Sequence, residues 1–300
     1  MVKSCCDSYH TQFSDFSAML SYHEQVRKSS LWERTEVKKL QVAALDKTSP
    51  LYEDTDSFDP SVSRDAVEDT AENLKLAIKL RDKFFPLRDT AYKSLLDRAK
   101  IGGSALPKLS REKLADVINA CLALHKDSAL LLIRDEKVSA AHSGDSRDYS
   151  VLEIDQLLDG LQRKHDERFP GNQFSAGFGG PASPSPAWTP PGPREELLDT
   201  YIKLLAAEGK SSMAAKLMPG IRFSTSDTGM ASAKVSALLA GLQYPIHIGG
   251  MIAVEHRRQS KVPDFVGSLA MLFAQFGASV ARLTSLLSVH LDHTFSAMTA

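Results

Sequence analysis

The sequence has no surplus of positive charge: 36 Lys and Arg stand against 37 Asp and Glu, a net charge of -1. Proteins dedicated to nucleic acid draw much of their affinity from releasing phosphate counterions, and most carry a basic excess. Any such role here must therefore rest on a local patch. The same balance argues against attachment to an anionic membrane surface. The three cysteines are Cys5, Cys6 and Cys121. The first two are adjacent and poorly placed to bond to each other, and Cys121 falls on the apolar side of an expected helix. A disulfide framework is not expected, and a reducing compartment, the cytoplasm, is. No window supplies the roughly 18 apolar residues needed to span a bilayer, and the first 16 residues lack the apolar centre of a signal peptide.

Other absences concern chemistry. There is no G-x-S-x-G to hold a strained nucleophilic serine. Gly209-Lys210-Ser211 resembles the end of a phosphate-binding loop, but Leu204 stands where its first glycine belongs and the segment follows a helix. His290 and His293 are three apart, with no third ligand nearby, so neither a metal nor another cofactor is expected. No fixed-period repeat is visible.

What is present suits a globular chain of 300 residues with 43% hydrophobic and 24% charged residues. Residues 1–62 are polar with scattered aromatics and end in the acidic run Tyr52–Asp59, which reads as a partly ordered arm. Apolar residues from Val67 to Phe85 recur at helical spacing and predict one helix from Ser63 to Phe85, ended by Pro86. Helices follow over Asp89–Lys100 and from the N-cap Ser110. The run Ala129–Arg134, the polar Asp135-Glu136-Lys137 and Val138–His142 predict a hairpin. Ser150 and Glu153 fit a capping box opening the next helix. Pro170–Pro193 holds seven of the fourteen prolines and five glycines, so a long loop is expected. Beyond it the pattern gives a helix over Arg194–Glu208, a strand over Ile221–Ser226 and a small-residue stretch over Ala231–Gly241. A second hairpin is expected to turn at Gly249-Gly250, followed by a long helix from Asp264 to Val289.

Runs of helices separated by hairpins favour an α+β fold over a doubly wound sheet. The expected architecture is antiparallel hairpins packed with several amphipathic helices, in two halves split by the Pro/Gly-rich loop. Residues 63–169 carry the first hairpin. Residues 194–300 carry the second hairpin and the long helix, in one domain with the first half.

Four constellations carry candidate chemistry. Asp227-Thr228-Gly229 after a strand matches the aspartic-protease signature, in which two such aspartates share a proton. Only one copy is present, and Ser224-Thr225-Ser226 precedes it where apolar residues are expected, so a polar turn outweighs the protease. Asp227 is nevertheless the one candidate acid/base of a hydrolase. His256, Arg257, Arg258 and Lys261, with Arg222 from the preceding strand, offer guanidinium forks for phosphate; a solvated strand end is the plainer reading. His142 and Asp145 share the loop His142–Tyr149 and would be helpers or ligand contacts. The aromatic and leucine stripe of the last helix reads as core.

Three stretches, Leu87–Leu106, Leu130–Tyr149 and Ile221–Val235, resemble a family of phage/plasmid-like proteins of unknown function, encoded on plasmids, conjugative elements and phages of gut bacteria. The family-specific motifs are the Ser143-Gly-Asp145 loop and the Thr225–Gly229 turn. Members carry an Asp-His pair ahead of the position of Trp188, where this chain has Gly179–Pro186, and they continue beyond the position of Ala300. The resemblance implies a mobile-element setting and a truncated or divergent member. Its motifs carry no known chemistry. Together with the absence of a catalytic constellation it implies a non-enzymatic factor acting on nucleic acid or a host protein. A hydrolase using Asp227 and a structural or assembly role are the alternatives.

Overall fold

The computed structural model describes residues 5–7, 9–168, 173–180, 187–189, 218–229, 231–240 and 246–274. The fold is α+β, built on antiparallel sheets. The expected N-terminal arm supplies one strand to each of its three sheets. β1 (Thr11–Phe13) leads into α1 (Phe16–Ser29), which Asp15 caps by accepting from the Ala18 N–H. β2 (Leu31–Glu36) and β3 (Gln41–Ala44) follow, then the single turn α2 (Pro50–Glu53).

The expected helix over Ser63–Phe85 is instead a helix and a hairpin. α3 (Arg64–Glu72) stops after about two and a half turns, and Lys75 adopts left-handed φ of 63°. The chain then runs as β4 (Leu76–Leu80) and β5 (Lys83–Pro86). Leu76, Ile78 and Leu80 alternate inward with period two, whereas the helical reading rested on Leu74, Ala77, Ile78 and Phe85; Ile78 belongs to both patterns, and Ala77 is buried on the other face of the strand. α4 (Asp89–Ala99) and α5 (Arg111–Leu122) lie where the sequence places them, with Ser110 capping α5 at Lys113 N.

β6 (Ser128–Arg134) and β7 (Lys137–Ser143) form the first hairpin around a two-residue turn. Asp135 and Glu136 both take positive φ, as a type I′ turn requires. Ser63 holds the tip by donating from its N–H and hydroxyl to Glu136. α6 (Ile154–Arg168) starts later than the expected capping box, because Ser150 is committed elsewhere: its N–H goes to His256 O and its hydroxyl to Ser146 O.

The Pro/Gly-rich segment is not all loop. β8 (Gln173–Gly179) and β9 (Ala187–Thr189) form in its proline-free windows. β10 (Met218–Ser224) begins earlier than expected, and the small-residue stretch forms β11 (Ala233–Ala240). No hairpin turns at Gly249-Gly250. β12 (Ile246–Val254) is one strand paired along β11, and its register slips between Met251, opposite Ser236, and His247, opposite Leu238. The glycine pair sits in that bulge, where its lack of a side chain tolerates the irregularity. α7 covers 262–274. The rest of the expected last helix, the helix over Arg194–Glu208, and His290 and His293 lie outside the described residues.

The sheets are β1-β8-β9-β10-β11-β12, β2-β6-β7 and β3-β4-β5. Among the described residues two large apolar cores result, beside a smaller cluster of Leu45, Phe58, Val67, Ala71 and Ala77. One gathers Leu76, Ile78, Leu95, Ile118, Leu131 and Val138, between the two small sheets and α4 and α5. The other gathers Met19, Leu157, Leu161, Phe223, Val235 and Phe265, between the large sheet and α1, α6 and α7.

Gly144, just past β7, is a packing constraint. A Cβ there would lie 2.7 Å from Ser128 Cβ and 3.0 Å from its carbonyl carbon. Gly144→Ala is expected to destabilise the fold by about 1–3 kcal/mol, read from the urea midpoint; an unchanged midpoint would mean the loop moves aside freely.

Candidate functional site

The residues singled out around β7 and β10 meet between the β6–β7 hairpin and the turn that follows β10. Asp227 follows β10 in a turn fixed by the Ser226 and Thr228 hydroxyls, 2.8 Å apart, and by Gly229 at φ +81°. Its carboxylate is buried, and both oxygens face the guanidinium of Arg134, the last residue of β6: Nη1 lies 3.2 Å from Oδ1, and Nη2 donates to Oδ2. Arg134 Nε donates to Ser30 Oγ at 2.9 Å. Burial alone would raise the Asp227 pKa, but the charge and hydrogen bonds of Arg134 outweigh it and hold the carboxyl below its ordinary range.

The Asp227 carbonyl accepts two more hydrogen bonds, each 2.8 Å: one from His142 Nε2, the other from the Tyr149 hydroxyl. A carbonyl only accepts, so His142 carries its proton on Nε2 and presents a lone pair at Nδ1. Tyr149 stacks on His142 at 3.5 Å between centroids and on His256 at 5.7 Å, with interplanar angles of 6° and 11°. His256 Nε2 lies 3.2 Å from Thr225 Oγ1, while its buried Nδ1 makes no hydrogen bond among the described residues. Burial lowers the His142 pKa to about 4 and also lowers that of His256, so both rings are neutral at pH 7.

An open cleft of about 200 Å³ lies over this cluster, lined by His142, Asp148, Tyr149, Gly229, Glu255 and Arg257 among others. Its rim is two loops tied by Arg258 N donating to Arg147 O and Gln259 N donating to Ser146 O. The expected basic cluster is dispersed and offset. Arg257 lies 3.7 Å from Glu255, and Arg147 pairs with Asp145 at 2.7 Å. That pairing is also what lowers the Asp145 pKa to about 2. Arg258 and Lys261 are exposed, and His256 is buried. Arg222 projects from the face of β10 opposite buried Ile221 and Phe223, away from the cluster. Thus Asp227, His142 and His256 converge, Arg257 joins the cleft wall, and Asp145, Arg222, Arg258 and Lys261 contribute no side chain to it.

Sequence reasoning overlooked Arg134 and Tyr149, whose roles depend on pairing across 93 and 78 residues. It also overlooked a larger feature. A groove of about 810 Å³ runs along the edge strand β2 and is lined by Arg34, Lys38, Lys39, Lys79 and Arg81, with Trp32. Five cations face two carboxylates: Glu36, bound by Lys38 at 2.8 Å and by Lys39 at 2.5 Å, and Glu33, bound by Arg81 at 3.0 Å; Arg34 Nη1 also donates to the Gly144 carbonyl. The Trp32 ring lies 6.1 Å from His142 and 6.0 Å from Tyr149, tilted by 35° and 40°, so it packs beside the His142–Tyr149 stack without joining it. The signal was present in Trp32, Arg34, Lys38 and Lys39, but they lay in the stretch read as an arm.

The chain matches no family model, no curated protein and no solved structure.

Proposed function

We propose that the protein is a non-enzymatic factor that binds single-stranded nucleic acid along the β2 groove. The observation that carries this is the convergence of five cations from β2, the 37–39 turn and β4–β5 around one groove that contains a tryptophan. Cations spaced along a groove neutralise successive phosphates, and an aromatic ring gives a base a surface to stack on. Charged side chains on an edge strand also prevent edge-to-edge pairing, but that role needs no contribution from β4 or from the turn. The chain's near-neutral total makes the local concentration of charge the meaningful quantity. A phage or plasmid setting, as the Leu87–Leu106, Leu130–Tyr149 and Ile221–Val235 stretches suggest, accords with a nucleic-acid target.

A hydrolase built on Asp227 is disfavoured by geometry. Its oxygens are both taken up by Arg134, and an imidazole with a pKa near 4 is a weak general base at pH 7.

The test is anisotropy of a labelled single-stranded oligonucleotide at low salt. The triple variant Lys38→Ala/Lys39→Ala/Arg81→Ala removes exposed side chains and is expected to leave the melting temperature within a few degrees of the wild type. It is expected to bind at least about tenfold more weakly. Equal affinity in variant and wild type would remove the groove from the account.

A further inference from the structure

We infer that the cleft between the 143–150 and 255–261 loops is a second binding site, separate from the groove, which takes a small ligand bearing a primary ammonium group. The argument begins with hydrogen-bonding capacity. His142 is 7% exposed and is pinned by the Asp227 carbonyl, so its Nδ1 can only accept, and it has no partner among the described residues. An acceptor with no protein partner, fixed in orientation at the wall of a cleft, marks a place for an external donor. Gly229 keeps that atom reachable: a Cβ there would lie 2.9 Å from His142 Cε1 and 3.5 Å from Nδ1. His256, 6% exposed, lines the same wall.

The remaining polar wall decides the sign of the ligand. Asp148 and Glu255 contribute two carboxylates. Asp148 Oδ2 is oriented by the Ser143 hydroxyl at 3.1 Å, and Arg257, the one cation on this wall among the described residues, lies against Glu255. Two anionic acceptors and an imidazole lone pair call for a ligand with several N–H donors and a positive charge, which an ammonium group supplies in the space of one heavy atom. A metal ion fits less well, since no group of three or more His, Cys, Asp or Glu able to hold one occurs among the described residues. The volume of about 200 Å³ limits the ligand to a small molecule or the end of a longer amine.

The experiment is a titration of the ¹⁵N-labelled full chain with 1,4-diaminobutane, following the histidine ring nitrogens by long-range ¹H–¹⁵N correlation. The His142 Nδ1 resonance is expected to move upfield as the lone pair accepts a hydrogen bond, saturating in the millimolar range, while 1,4-butanediol leaves it in place. Glu255→Gln and Asp148→Asn, both at exposed positions, are expected to weaken the diamine about tenfold each with unchanged melting temperature. The Lys38→Ala/Lys39→Ala/Arg81→Ala variant is expected to bind it as the wild type does, which separates this site from the groove. No shift at His142 with excess diamine, an equal shift with the diol, or full affinity in both carboxylate variants would overturn the assignment.

Discussion

Asp227→Ala is expected to destabilise the protein by about 3–5 kcal/mol, because it leaves the Arg134 guanidinium as a buried, uncompensated charge. The pair joins the end of β6 to the turn that follows β10, so its loss would loosen the contact between them. Replacing both partners, as Arg134→Met/Asp227→Leu, is expected to recover much of that loss, since buried ion pairs often do no better than well-packed apolar residues. Urea unfolding of the two variants measures both effects. A single variant within about 1 kcal/mol of wild type would show that the pair is solvated in solution. The same substitution separates structure from catalysis: a turn clamp lowers stability, whereas an acid/base would lower a rate and leave stability alone.

Acid is expected to unfold the protein well above the range where carboxylates titrate. Burial lowers the pKa of His23, on α1, and of His142 to about 4, and both His23 nitrogens are buried without hydrogen bonds among the described residues. In the unfolded chain each would titrate near 6.5. The folded state therefore binds fewer protons between those values. The stability from keeping these rings neutral is complete above about pH 6.5 and falls steadily as pH drops toward 4. Each ring contributes on the order of 3 kcal/mol across that window, and His165 and His256 are shifted the same way. Asp227 acts lower: its pKa is below the ordinary carboxylate value, so its contribution is present above that value and is lost only as pH falls through the folded one. A denaturant midpoint flat from pH 7 to 4.5 would contradict buried neutral histidines. His142→Gln should remove part of the slope.

The helices with clean caps and the β6–β7 hairpin were legible because their signals are local. Ser110 before an amphipathic run, and a polar pair between apolar runs, each involve a few neighbouring residues. Three features were not legible for identifiable reasons. The apolar run around Leu74–Leu80 can be read at either period by choosing Leu74, Ala77 and Ile78 or Leu76, Ile78 and Leu80, and the left-handed Lys75 marks where the helix has already ended. Gly249-Gly250 suits a turn and a bulge equally well, and pairing with β11 decides between them. Residues 11–44 read as an arm because each strand there is short and half-polar; their partners, β8, β6 and β4, are remote in sequence. Part of the polar cluster was visible as residue types, in Asp227, His142 and His256. The Arg134 clamp and the Tyr149 stack arise only when β6, β7 and β10 are brought together.

The most direct test of the central claim is the salt dependence of single-stranded oligonucleotide binding by the wild-type chain. With four or five groove cations each neutralising a phosphate, log K should fall linearly with log salt at a slope of about −3. The triple variant should have a slope shallower by about 2. No binding at low salt, or binding insensitive to salt, would contradict a nucleic-acid role for the groove.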